Sequence, residues 1–108
     1  MLDFAFLDEQ SFGDRALQAE LLDLYEIQCR RLMPVIEASA SPGAAAEAAH
    51  TLRGSAAAIG AREVARIAGL VENAAEQGGE GSREALVAAL RDAVETARLA
   101  IAGGRVRP

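Results

Sequence analysis

The chain has 108 residues, 51% of them hydrophobic and 25% charged, with a formal net charge of -5. That size fits one domain, and the balance of apolar and charged residues excludes a disordered tail. The acidic charge argues against a nucleic-acid partner, the single cysteine (Cys29) excludes an internal disulfide, and no stretch approaches the roughly 18 apolar residues that span a bilayer. The expectation is a soluble cytoplasmic protein with no nucleic-acid or membrane partner. Aromatics make up only 4% of the chain and strand-like runs of Val, Ile, Thr and Tyr are absent, which points to an all-α fold.

In chain order, residues 1–12 predict a short amphipathic helix, with Phe4, Phe6 and Phe12 as a lid over one end of the core and Gly13 as the break. Asp14 is an N-cap for the next helix. Leu17, Leu21, Leu24, Tyr25, Leu32, Val35 and Ile36 then recur at three- and four-residue spacing as far as Ala38. Cys29 lies near this stripe and reads as a small core residue. Pro34 interrupts it, and an internal proline costs on the order of 3 kcal/mol. Because the apolar stripe continues past Pro34, a kink over 30–34 is expected rather than a stop.

Residues 39–43 are a linker, with Ser41 as N-cap and Pro42 at the first helical position of a third helix that reaches Ala58. Gly60 is its C-terminal cap. A fourth helix covers 61–76, with Val64, Ala65, Ala68, Val71 and Ala75 inward. Residues 78–81 form a glycine turn, and Ser82 caps a last helix with Leu86, Leu90, Ala93, Val94, Ala97 and Ile101 inward. Gly103 and Gly104 end that helix. One domain over 1–104 follows, with 105–108 a loose basic tail. Short connections favour antiparallel neighbours, hence an antiparallel up-down four-helix bundle with a short N-terminal capping helix. Its apolar stripes are consumed internally, so a monomer is expected, and the start at Met1 fits a free-standing protein.

The third helix holds the only histidine. At 100° per residue, Leu52, Ala45, Ala49, Ala56 and Ile59 share the core side, while His50 is turned about 200° from Leu52. Glu47, Arg53, Gly54 and Ala57 share the face of His50. Glu47 can reach the ring or simply keep the face solvated. A helical glycine costs roughly 1 kcal/mol relative to alanine. Gly54 in an alanine-rich helix therefore suggests close approach by something outside the chain, or a helix crossing. The Arg53 guanidinium can pair with anionic oxygens on a modified imidazole. Arg62 and Arg66 open the fourth helix and are expected near Arg53 and Gly54, making a locally basic face with Ile67 or Leu70 as apolar docking contacts. One histidine and one distant cysteine make no metal ligand set.

His50-Thr51-Leu52-Arg53-Gly54-Ser55, followed by Ile59-Gly60-Ala61, resembles the histidine-phosphotransfer (HPt) domain family. Its usual pattern is His-x-Leu-Lys-Gly-Ser, then Leu-Gly or Ile-Gly-Ala. Val71-Glu72 and the turn at Gly78 are similar to the family's downstream Leu-Glu and glycine turn. Arg53 departs from the commoner lysine and Ala56 from a frequent serine.

The resemblance implies a phosphorelay intermediate of two-component signal transduction, a phosphocarrier rather than an enzyme. His50 would take a phosphoryl group from the aspartate of a response-regulator or hybrid-kinase receiver domain and pass it to another receiver. The chain itself would bind no cofactor, Mg²⁺ being supplied by the receiver. An imidazole offers the neutral nucleophilic nitrogen this needs near pH 7. The other classes open to the sequence are an adaptor bundle that binds a partner without phosphotransfer, and a protein that accelerates loss of phosphate from a receiver.

Overall fold

The computed structural model describes residues 2–38, 41–77 and 80–106. These form five helices: α1 (Phe4–Gln10), α2 (Arg15–Ala38), α3 (Pro42–Ala58), α4 (Arg62–Gln77) and α5 (Glu80–Val106). No strand occurs among the described residues. α2 to α5 form the antiparallel bundle. Each packs on the next, and α5 returns against α2, where Arg83 Nη2 donates to the Ile36 carbonyl at 3.3 Å and Arg91 reaches Glu37 at 3.5 Å.

The helix starts follow their local chemistry. Asp14 Oδ1 accepts from Leu17 N–H at 3.1 Å, and Ser41 Oγ accepts from Ala44 N–H at 3.3 Å, each satisfying a donor that a helix start leaves free. Two expected helix ends in the chain's second half move. α5 begins at Glu80, ahead of Ser82, and continues through Gly103 and Gly104 to Val106. Glycine weakens a helix without forbidding one. The expected linker residues 39–40, the turn residues 78–79 and the tail residues 107–108 lie outside the described residues. α2 runs through Pro34 without stopping, and Pro34 itself is exposed.

The core is built from α2 (Leu22, Tyr25, Cys29, Leu32, Ile36), α3 (Ala49, Leu52, Ala56), α4 (Val64, Ala68, Val71) and α5 (Leu90, Ala97, Ile101). Leu52 is fully buried, and burial of such a side chain contributes about 1.5–3 kcal/mol. The α2 stripe differs from the expected one. Leu24 and Val35 are exposed while Met33 is buried, because Tyr25, Cys29 (a core residue, as expected), Leu32 and Ile36 follow a strict 4-3-4 spacing that turns the adjacent positions 24 and 35 outward. Burial pushes the ionisation of both Tyr25 and Cys29 upward, so both stay neutral in the core.

The aromatic lid is not formed as expected. Leu2, Leu7 and Ser11 cover the end of the core, while Phe4 is 47% and Phe12 92% exposed. α1 is too short to bury both faces. Its inward position is taken by Leu7, with Ser11 one turn on, whose Oγ donates to the Leu7 carbonyl at 2.8 Å.

α1 is pinned to the α3–α4 turn. Gly60 closes α3 with a positive φ of 79°, and the N–H groups of Ala61 and Gly60 donate to the carbonyls of Ala56 (2.9 Å) and Ala57 (3.3 Å). The Gly60 carbonyl then accepts from Asp3 N–H at 3.0 Å. A Cβ on Gly60 would sit 2.9 Å from the Asp3 carbonyl oxygen. Asp3 itself caps α1 and pairs with Arg62 at 2.9 Å.

Candidate functional site

His50 lies eight residues before the end of α3, and its side chain is 61% exposed, as the helical wheel requires. What holds the ring comes from the next helix. His50 Nδ1 lies 3.0 Å from Glu72 Oε2 on α4, twenty-two residues away in sequence. A carboxylate only accepts, so the contact places a hydrogen on Nδ1. The neutral ring then carries its free lone pair on Nε2, which has no hydrogen-bond partner among the described residues.

Arg53 is the third member of the cluster. Its Nη1 lies 3.7 Å from Glu72 Oε1, and its Nη2 approaches His50 Nδ1 to 3.3 Å. It cannot donate to a nitrogen that already carries hydrogen, so its interaction here is with the carboxylate. Glu72 is only 15% exposed, and its Oε1 makes no hydrogen bond. That half-desolvated charge is tolerated because the guanidinium sits beside it. Gly69 lies one turn before Glu72. A Cβ there would lie 3.4 Å from Arg53 Cδ, an ordinary contact, so the stem of Arg53 lies against α4 at Gly69.

The other sequence-predicted positions divide. Gly54 and Ala57 are exposed on the same face, and a Cβ on Gly54 would meet nothing within 4 Å. Gly54 is therefore no helix-crossing glycine; the space beside it is open. Arg66 lies across from them on α4 and pairs with Glu63. A groove of about 580 Å³ runs between the helices, floored by Gly54, Ala57 and Ala65 and edged by Arg53 and Arg66. Phe6 of α1, Gly60 and Arg62 also line it. The expected approach of Arg62 and Arg66 to Arg53 and Gly54 is present.

One expectation fails, and of the two readings of Glu47 the solvated one is what the structure has. Ile67 is not a docking contact but a core residue at 6% exposure, because it stands three residues after Val64 and four before Val71 and shares their inward face. Leu70, at 40%, is the exposed apolar residue on this helix. Glu47 is exposed, and the carboxylate that meets the ring is that of Glu72 instead; the Glu47 contact is its backbone carbonyl accepting from Thr51 Oγ1 at 3.1 Å. Among the described residues no three of His, Cys, Asp and Glu cluster as a metal ligand set would.

Glu72, which enters the sequence reading only through the Val71-Glu72 resemblance, is the residue whose contact with His50 was not anticipated. A signal for it exists. In an antiparallel helix pair folded about Ala61, positions equally far from the turn face each other, and His50 and Glu72 are equidistant from it, as are Arg53 and Gly69.

A helical bundle presenting a single histidine, one ring nitrogen anchored and the other open, has the build of a phosphoryl carrier. The sequence model of the Hpt domain matches residues 17–100. The chain belongs to the Hpt domain family, whose members carry phosphoryl groups on histidine in phosphorelays. Among solved structures, it is similar to the histidine phosphotransferase ShpA from Caulobacter crescentus, with 29% identity over 95% of this chain and 96% of that one and a TM-score of 0.59. A comparison with curated proteins finds no match. Among the described residues no helix is long and apolar enough to cross a membrane.

Proposed function

We propose that His50 accepts a phosphoryl group from the aspartyl phosphate of a receiver domain and passes it to the aspartate of another, in the cytoplasm. The observation that carries this reading is the Nδ1 contact to Glu72, which leaves Nε2 as the nucleophile. The Nε2 lone pair attacks phosphorus, the bond from phosphorus to the aspartate oxygen breaks, and the carboxylate leaves with that electron pair. The ring keeps its Nδ1 hydrogen and so gains positive charge as the N–P bond forms. The Glu72 carboxylate, 3.0 Å away, stabilises that charge in place. Onward transfer reverses the steps, with the neutral imidazole as leaving group.

Arg53 stands on the same face, where it can exchange its 3.7 Å contact to Glu72 for the phosphoryl oxygens. Mg²⁺ belongs to the receiver, whose carboxylates hold it and whose geometry aligns the transfer. Such a chain is a carrier that needs its partner to complete the chemistry.

The test is a receiver domain labelled on its aspartate and mixed with this chain. Label should move to the wild type and not to His50→Gln. Absence of transfer from every receiver of the same genome would remove the phosphorelay reading and leave an adaptor bundle. A receiver that loses its phosphate without labelling the chain would point to accelerated dephosphorylation instead.

A further inference from the structure

We infer that the outward face of α2 is a self-association surface, on which a second copy of this chain packs its own α2 antiparallel. None of its residues belongs to the cluster around His50. α2 carries two stripes. The inward one, Leu22, Tyr25, Cys29, Leu32 and Ile36, is buried in the core. The second is Leu17, Glu20, Leu24, Ile27, Arg31 and Pro34, spaced 3-4-3-4-3 without a break. That alternation is the one by which two helices interlock along a seam. All but the half-buried Leu17 are exposed, Leu24 at 58% and Ile27 at 57%, and Val35 at 41% stands beside Pro34. Scattered apolar side chains on a surface mean little, but apolar side chains gathered on one face mark an interaction site.

The charges identify the occupant. About a two-fold axis between residues 25 and 26, an antiparallel copy sets Leu24 against Ile27, Glu20 against Arg31 and Leu17 against Pro34, and each pairing occurs twice. An ion pair then flanks the central Leu24 and Ile27 layers on either side. Glu20 makes no ion pair among the described residues. Arg31 has a hydrogen bond within its own helix, from Nη2 to Gln28 Oε1 at 2.6 Å. A parallel copy would set Glu20 against Glu20 and Arg31 against Arg31, so the charges that favour one orientation oppose the other. An unrelated partner requires no internal symmetry in the stripe. Here the acidic and basic members sit equally far from the apolar centre, as a copy of the same helix requires.

The seam from Leu17 to Pro34 runs about 26 Å along α2, at 1.5 Å per residue. Its apolar members are few and only partly exposed, so the dimer is reversible and depends on concentration, as small interfaces do.

Sedimentation velocity of the full chain, from about 1 μM to about 1 mM, is the test. The wild type should pass from monomer toward dimer across that range. Ile27→Glu should weaken association about tenfold or more. Leu99→Glu changes an equally exposed leucine on α5, outside the seam, and should stay within about twofold of wild type. Glu20→Arg sets arginine against arginine twice and should weaken association about tenfold. Adding Arg31→Glu re-forms both pairs with their signs exchanged and should return association to within about threefold of wild type. These positions are all exposed, so circular dichroism should show the bundle intact in every variant. A wild type that stays monomeric throughout, as the core stripes alone would have it, overturns the proposal. So does a Leu99→Glu variant as impaired as Ile27→Glu, or a double reversal without rescue. A chain that is monomeric by itself, and whose Ile27→Glu variant loses only a complex with a receiver domain, gives the face to that partner and overturns it as well.

Discussion

Glu72→Gln isolates the charge that holds the imidazole. The amide keeps the size of the carboxylate and can still accept from Nδ1–H through its oxygen, so the ring stays in place while the negative charge is lost. A hydrogen bond to a charged group contributes about 1.5–3 kcal/mol, against about 1 for a neutral one. The partner ring here is 61% exposed, so solvent screening puts the difference at the low end. About 0.5 kcal/mol of lost transition-state stabilisation corresponds to a two- to threefold slower transfer.

Rapid-quench measurement of label passing from receiver to histidine should show that deficit. Thermal stability should hold or rise slightly, since Glu72 Oε1 is a buried acceptor without a hydrogen bond. Nitrogen-15 spectra in mildly alkaline solution report the ring directly. The wild type should carry its hydrogen on Nδ1, and Glu72→Ala should shift the population toward the other tautomer. A wild-type ring protonated mainly on Nε2, or unchanged transfer in Glu72→Gln, refutes the reasoning.

Other expectations follow from single residues. Gly54→Leu meets open space, so it should stabilise α3 by roughly 0.5–1 kcal/mol through helix propensity while slowing transfer from the receiver; a melting curve and the labelled assay separate the two effects, and normal transfer would contradict close approach. Gly60→Ala forces a side chain onto a φ of 79° and against the Asp3 carbonyl, so denaturation should show a loss of about 1–3 kcal/mol, with faster amide exchange in α1 than elsewhere. The Asp3 carboxyl is held below the usual aspartate range, chiefly by the Phe6 N–H and further by Arg62. Because its folded value is depressed, its contribution is complete above about pH 3.9 and is lost as pH falls through that lower value. Resonances of α1 should therefore titrate at more acid pH than a free aspartate, and Asp3→Asn should abolish that step.

Much of this fold was legible because its signals are local. Asp14, Ser41-Pro42 and Gly60 each act within a few residues of themselves, and each does what its chemistry suggests. The exposure of His50 followed from the angle between it and Leu52 on one helix. What escaped was relational. Glu72 becomes meaningful only when α4 is laid against α3 in register, and the nearer Glu47 competes for attention because it shares the helix of His50. Ile67 and Leu70 are both apolar and three residues apart, and only the position of Val64 and Val71 decides which turns inward. The phenylalanines misled for another reason. Hydrophobicity says that a side chain gains by burial, but a seven-residue helix has one inward face, and Leu7 occupies it.

The pairing of His50 with a carboxylate on the following helix makes chemical competence a property of two helices rather than of one. A peptide with the sequence of α3 would carry the histidine and not its orientation. Any opening that parts α4 from α3 disarms the ring, even while the remainder of the bundle stays folded. On the proposed function, reactivity of the imidazole would report the integrity of the α3–α4 hairpin, and a half-folded copy of this chain would be silent instead of misfiring.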